Sequence, residues 1–456
     1  MITSPAFAGK RYAVLGLARS GAAAAETLLA SGAEVIAWDR QDVAREPFAG
    51  RCRLIDPLEL DLTGFAGVIV SPGVPLNTHP IAPHVWHYGL PVIGDIELFA
   101  AARASLPPHK VVGITGTNGK STTTALVHHI LAQAGVPAVM GGNIGDPILA
   151  QAPLPEGGVY VLELSSFQID LTFTLDCDIA ALTNITPDHL DRYAGFEAYA
   201  ASKERLFQMQ ASGTALICDE DAPTQAIAAR LEAEGKPLVR VKTDDLAASG
   251  MAEGRSPSLA GPHNAQNAAV AVAICRQLGL ADEQIAAGLA SYRGLPHRME
   301  RVCEAKGVFY INDSKATNAA SAAPALAAFP PEPAINAGAP RIHWIVGGLP
   351  KDDGLGACGD HLGNVAAAYT VGEAGPMFAD LLEGRVRVER CELISEAVRR
   401  AEAAARPGDV VLLSPACASY DQFRDYEKRG LHFRQMVGAI TGCDTGDDIA
   451  SRSILP

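Results

Sequence analysis

The run Gly116-Thr117-Asn118-Gly119-Lys120-Ser121 brings two glycines, an amine and a hydroxyl together in one short stretch. A glycine-rich turn that opens a helix aims backbone N–H groups at an anion, and the helix N-terminus adds partial positive charge. Lys120 supplies a mobile cation for the β- and γ-phosphates of a nucleotide, and the Ser121 hydroxyl can ligate Mg²⁺. The order is not that of a Walker loop, G-x-x-x-x-G-K-[ST], because Ile114 stands where the first glycine belongs. The binding physics survives that change. The bland reading of the same residues is a glycine turn capped by serine, with Lys120 solvated.

Two other places carry chemistry-bearing types. "VLGLARSG" at 14–21 reads G-x-A-x-x-G through Gly16, Ala18 and Gly21, and the next strand ends at Asp39, where a ribose-binding acid belongs. Alanine in the middle hinders close approach to a pyrophosphate, so a nucleotide-diphosphate site and a plain strand–helix turn both stay open. Glu163 ends the apolar run "VYVL", which projects its carboxylate at the carboxyl edge of a sheet, where α/β clefts form. Its alternative is a surface acid at a strand end.

The elements that must position these groups alternate. "RYAVLGL", "EVIAWD", "GVIVSPGVP" and "LPVIGDIEL" are strand candidates separated by helical patterns, which predicts a parallel, doubly wound sheet. After a linker at 102–110, a second unit opens with the phosphate loop and runs through "GVYVLELSSFQ", "IAALTNITPDHLD", "GTALICDED" and "GPHNAQNAAVAVAICRQLGL". A junction at 291–302 leads to a third unit that starts with "GVFYINDSKATN". The fold class expected is α/β in three consecutive domains: Rossmann-like over 1–100, a P-loop-like ATPase over 101–299, and Rossmann-like over 300–456. The chain of 456 residues, at about 150 per domain, agrees with three. The tail 441–456 is polar and reads as loose.

Composition removes several classes. The formal charge of −14 argues against nonspecific nucleic-acid binding. No apolar run approaches the roughly 20 residues of a membrane span, and no signal peptide is expected. The nine cysteines at 52, 177, 218, 275, 303, 358, 391, 417 and 443 are dispersed without a CxxC pair, which reads as reduced thiols in a cytosolic protein.

Further islands, "GGNIG" (141–145), "LELSSFQ" (162–168), "NITPDHLDRY" (184–193) and "YAASKERLF" (199–207), together with "GTNGKST" closely resemble the Mur ligases of bacterial peptidoglycan synthesis. "GPHNAQN", "LPHRME", "NDSKATN", "GGLPK" and "LSPACASYDQF" follow in order, so the resemblance covers nearly the whole chain. "LELSSFQ", "SPG" near 71, "GGLPK" and "SPACASYDQF" point to the members that join D-glutamate to UDP-N-acetylmuramoyl-L-alanine. What the resemblance implies is ATP-dependent amide synthesis: the carboxylate is phosphorylated, D-glutamate attacks the acyl phosphate, and phosphate leaves.

Roles follow from the same resemblance. Gly116, Thr117, Asn118, Gly119, Lys120, Ser121 and Thr122 would hold the ATP phosphates, and Asn264, Asn267, Arg298 and Asp313 the adenine, ribose and phosphate side. Two Mg²⁺ ions are implied, one on Ser121 and Glu163, the other on His189 and Lys203, the lysine acting as a carbamate. Lys120, Glu163, His189 and Lys203 are the catalytic candidates. Leu17, Ala18, Arg19, Asp39, Arg40, Ser71, Gly73 and Asn77 would face the uridine diphosphate, with Asn143, Ser165 and Gln168 further along the substrate. Lys315, Thr317, Lys351, Ser419 and Tyr426 would receive D-glutamate; Tyr426 stands where this type often has Phe. A cytoplasmic monomer, free of membrane and nucleic acid, is expected.

Three other readings compete. Folylpolyglutamate synthetase shares the architecture but gives no reason for the "VLGLARSG" unit. A nucleotide-gated switch leaves Glu163, His189, Lys203 and Lys351 without work. A nicotinamide-dependent oxidoreductase rests on the first glycine turn alone.

Overall fold

The computed structural model describes residues 1–252, 255–351 and 353–445; the polar tail from 446 on lies outside them. Three sheets carry the structure. In the first, β1 (Arg11–Leu15), β2 (Glu34–Trp38), β3 (Arg53–Leu54), β4 (Gly67–Val70) and β5 (Val92–Ile93) pair in parallel in the order β3-β2-β1-β4-β5. In the second, β6 (His109–Thr115), β7 (Ala138–Gly142), β8 (Gly158–Glu163), β9 (Ile179–Leu182), β10 (Thr214–Cys218) and β11 (Leu238–Val241) run parallel in the order β11-β10-β9-β6-β8-β7. Strands β8 and β9 are buried along their whole length. That is why they read as continuous apolar runs rather than alternating ones.

The register of this second sheet builds the site. Glu163 at the end of β8 pairs with Ile114 of β6 on one side and Gly142 of β7 on the other, and Thr115 pairs with Leu182 of β9. The phosphate loop, the "GGNIG" turn and the "NITPDH" segment therefore leave the sheet as neighbours, all from carboxyl ends.

The third sheet is made of β12 (Glu300–Ala305), β13 (Val308–Asn312), β14 (Ile342–Gly347), β15 (Val365–Val371), β16 (Arg387–Glu392) and β17 (Val410–Leu413), in the order β12-β13-β17-β14-β15-β16. Only β12 is antiparallel, to β13. That strand escapes a reading based on apolar runs, because E-R-V-C-E-A has no apolar run longer than two residues. The chain divides into two compact units, Met1–Ser249 with Gln266–Gly288, and Gly250–Ala265 with Leu289–Pro456. The first unit holds two sheets whose buried side chains, among them Phe99, Leu28, Leu149 and Tyr160, form one core. Among the described residues no helix is long and apolar enough to cross a membrane.

One expectation is corrected. Cys303 on β12 and Cys443, beyond the helix Tyr426–Thr441, are joined as a disulfide across 140 residues with Cα atoms 6.5 Å apart. Sequence spacing could not pair them, because it is the packing of the last helix on β12 that brings them together. The other seven cysteines are free thiols, and all but Cys52 are buried.

Candidate active site

Helix α1 (Lys120–Gln133) starts at the phosphate loop, with Gly119 as its N-cap at φ 82°. A Cβ on Gly119 would stand 2.0 Å from Asn267 Oδ1, so both conformation and space demand glycine there. Asn267 also accepts from Thr123 Oγ1 at 3.5 Å, which seats it under the loop. Lys120 Nζ donates to the carbonyls of Gly116 (3.0 Å) and Thr117 (2.8 Å), folding its charge back over the loop. Ser121 and Thr122 are half-buried in the first turn of α1. Thr183, Asn184 and Tyr199, which the sequence reading did not single out, pin the loop: Asn184 O accepts from Thr117 N at 2.8 Å, Asn118 O accepts from Thr183 Oγ1 at 2.7 Å, and Tyr199 OH pairs with Thr117 Oγ1 at 3.1 Å. The signal for Asn184 lay in the motif "NITPDH" itself, where His189 drew the attention, and Tyr199 opens the motif "YAASKERLF".

Glu163 is 1% exposed. Its Oε1 accepts from Asn143 Nδ2 at 2.8 Å, while Oε2 is buried without a hydrogen-bond partner. A buried carboxylate oxygen left alone is costly unless something positive completes it. This is the fit that a Mg²⁺ ion requires, with Ser121 at the start of α1 offering a second oxygen. Among the described residues no group of three or more His, Cys, Asp or Glu side chains could hold a metal. A Mg²⁺ ion bound at Glu163 would be of the kind held by one or two protein oxygens plus phosphates and water.

Lys203, on helix α2 (Phe196–Gln208), is not the solvated helix lysine its neighbours Glu204 and Arg205 suggest. It is 1% exposed, its Nζ donates to Gly116 O at 2.8 Å, and it lies over the Tyr199 ring at 4.6 Å. Burial, then the charge of Lys120, brings its amine down to about 7. Two amines thus converge on one carbonyl. His189 has φ 53° and is half-exposed, its ring 4.8 Å from that of Phe167, with Nε2 3.6 Å from Asp188 Oδ2.

At the first sheet, Gly16 has φ 88° and a Cβ there would strike Ser71 at 2.9 Å. Ser71 Oγ donates to Gly16 O at 3.0 Å, and Leu17 N donates to Asp39 Oδ2 at 2.7 Å. Asp39 therefore braces the turn with one oxygen and receives Gln41 N with the other. Ala18 caps helix 19–30 without a side-chain bond, and Arg19 donates to Gly145 O, which ties the first glycine turn to "GGNIG". Asn77 Nδ2 donates to Asp191 O at 3.1 Å. Arg40 and Gly73 are exposed. Ser165 and Gln168 form a capping box on the short helix after β8.

The residues expected to meet D-glutamate all fall in the second unit, on the loops that follow β13, β14 and β17 and at the start of the last helix. Those three strands are adjacent. Lys315 Nζ donates to Tyr426 OH at 3.3 Å, and Lys351 Nζ to Thr317 Oγ1 at 3.3 Å. Ser419 is buried. Arg429, fully buried on the last helix, donates to the carbonyls of Ser314, Cys417 and Ala418 and so ties two of the loops together. Arg298 is exposed. Asp313 accepts from Met299 N and Ser414 Oγ, and burial pushes its carboxyl up to about 7. Asn264 is buried and its amide donates to Ser258 O and Ala260 O, the carbonyls just before its helix.

Residues 114–275 match the family model Mur ligase middle domain, and 297–417 match Mur ligase, glutamate ligase domain. The chain is 62% identical over 441 residues (96% of it, 97% of the relative) to a UDP-N-acetylmuramoylalanine–D-glutamate ligase of Novosphingobium aromaticivorans. It is 53% identical over 455 residues (96% and 100%) to the protein of that name in Zymomonas mobilis. Two solved structures share the fold at a TM-score of 0.54: UDP-N-acetylmuramate-alanine ligase of Thermotoga maritima (17% identity, 94% of this chain and 99% of that one), and a UDP-N-acetylmuramoyl-L-alanyl-D-glutamate–2,6-diaminopimelate ligase (18%, 94% and 93%).

Proposed function

The chain belongs to the Mur ligase family, and from that premise we propose that it joins D-glutamate to UDP-N-acetylmuramoyl-L-alanine, driven by ATP, in cytoplasmic peptidoglycan precursor synthesis. The observation that carries the reading at the level of atoms is the convergence of Lys120 and Lys203 on the Gly116 carbonyl, at the sheet edge where Glu163 keeps a buried oxygen unpartnered.

The carboxylate of the sugar nucleotide is a poor acylating agent until ATP phosphorylates it. Lys120 swings from the loop carbonyls to the β- and γ-phosphates, and the N–H groups at the start of α1 receive their oxygens. Ser121 and Glu163 would hold a Mg²⁺ ion, which would supply positive charge against the phosphate oxygens gathered during phosphoryl transfer. The amine of D-glutamate attacks the acyl phosphate; the C–N bond forms, the C–O bond to phosphate breaks, and the amine gives up a proton.

Lys203 takes the form of a carbamate. Its amine, poised near neutrality, adds to CO₂ with loss of a proton, which turns a buried cation into an anionic oxygen donor that, with His189, would hold a second Mg²⁺. Asn264, Asn267, Arg298 and Asp313 serve the nucleoside end of ATP. Lys315 and Lys351 meet the two carboxylates of D-glutamate, with Thr317, Ser419 and Tyr426 donating hydroxyls. The turn 16–19 with Asp39, Arg40, Ser71, Gly73 and Asn77 holds the uridine diphosphate, and Asn143, Ser165 and Gln168 the substrate beyond it. Residues 1–100, 101–299 and 300–456 act as the sugar-nucleotide, ATP and D-glutamate domains of a monomer.

The test is phosphate release from ATP with Mg²⁺ and UDP-N-acetylmuramoyl-L-alanine, in the presence of D-glutamate, L-glutamate or neither. Turnover only with D-glutamate is expected. Turnover with another acceptor would move the specificity, and turnover indifferent to all three would overturn the ligase reading.

A further inference from the structure

The phosphate loop is held by a chain of side-chain amides that the reaction scheme does not use. Asn184 grips the Asn118 peptide on both sides: its Oδ1 accepts from Asn118 N at 2.8 Å, and its Nδ2 donates to Asn118 O at 3.2 Å. The other hydrogen on Asn184 Nδ2 goes to Gln266 Oε1 at 3.0 Å. Gln266 Nε2 donates to Glu220 Oε2 at 2.9 Å. Glu220 is fixed in turn by Thr243, whose N donates at 2.7 Å and whose Oγ1 donates at 2.9 Å.

A side-chain amide can sit two ways round, with oxygen and nitrogen exchanged. In this chain neither amide has that freedom. Glu220 as a carboxylate only accepts, so Gln266 must show it the NH₂ and turn its oxygen to Asn184. The Asn118 N–H only donates, so Asn184 must give it the oxygen. The two ends of the relay demand the same polarity, and every donor along it meets an acceptor. The bonds also engage two loop amides, those of Thr117 and Asn118, both taken by Asn184, at the start of a helix whose first N–H groups have no intrahelical acceptor and so suit an anion.

We infer that Asn184, Gln266 and Glu220 are positioning residues for nucleotide binding: Glu220 at one end and the Asn118 backbone at the other set the direction of two amides, and these hold the phosphate loop in its anion-ready shape. The inference rests on the reading of that loop as the ATP site. Gln266 and Glu220 stand outside the substrate contacts assigned above, and Glu220 is exposed, so the chain can be altered without opening the core.

Equilibrium binding of Mg²⁺-ATP, read beside D-glutamate-dependent turnover, tests it. Gln266→Leu breaks the relay, and Gln266→Glu sets two carboxylates against each other. Each weakens ATP binding about tenfold, as loss of one oriented hydrogen bond at about 1.4 kcal/mol implies, while KM for D-glutamate is unchanged. The double variant Gln266→Glu with Glu220→Gln restores donor and acceptor in reversed positions, and ATP affinity returns to within about twofold of the parent. ATP affinity unchanged in both single variants, or unrestored in the folded double variant, overturns the relay. Failure of the ligase reading looks different: the parent would bind ATP normally yet show no turnover that depends on D-glutamate, and the variant affinities would still decide the relay.

Discussion

Lys203 shows how burial, with a like charge beside it, can change what a side chain is for. With its amine brought from an ordinary 10.5 to about 7, the folded chain releases a proton that the unfolded chain keeps between those values. Stability therefore rises with pH from about 7 to about 10.5 on this residue's account, and its burden is full below about 7. The same neutral amine is the form that captures CO₂. In ¹³C-labelled bicarbonate a carbamate resonance should grow as pH rises through about 7 and be missing from Lys203→Gln; a parent protein with no such signal at high pH has no carbamate. Glu163 invites a cleaner charge test. Glu163→Gln keeps the volume and an acceptor for Asn143 Nδ2, so it removes little but the negative charge. Turnover should fall by at least about a hundredfold with melting temperature nearly unchanged. A loss of less than about threefold would remove Glu163 from the Mg²⁺ site.

Among the elements, the strand–loop–helix at 109–133 is the most legible, because an apolar run, glycines and a cation each announce themselves in the sequence. Its support is not legible. Asn267 beneath Gly119 comes from a helix about 150 residues further on, and nothing local to the loop says which polar group will fill that space. Gly119→Ala tests the fit: with φ at 82° and the Asn267 oxygen 2.0 Å from the new methyl carbon, the loop must move. ATP affinity should drop by more than about tenfold, and stability by about 1–3 kcal/mol, as for other strained left-handed positions. Native-like ATP binding in that variant would mean that the loop adapts and that its shape is not set by the residue capping α1. Elements that depend on tertiary pairing are harder to read, and β12 is the example: three of its six residues are charged.

At the scale of the whole molecule, the three α/β sheets follow from the order of apolar runs and turns, and the Mur motifs carry the candidate residues to strand ends and loops. What stays hidden is contact across long separations. The Cys303–Cys443 bond is one case, and a thiol titration in denaturant should count seven free groups rather than nine, two of the nine being joined. Nine would return the pair to the reduced state. The third sheet has a further consequence through its strand order. Its last strand, β17, lies between β13 and β14, so the centre of the sheet is the part made last. A chain emerging from the ribosome holds β13, β14, β15 and β16 with a slot of unpaired backbone down the middle until residue 413 is free. A message cut short even a little before that point leaves an open β edge on each side of the slot, a template for joining other chains rather than a slightly shorter enzyme.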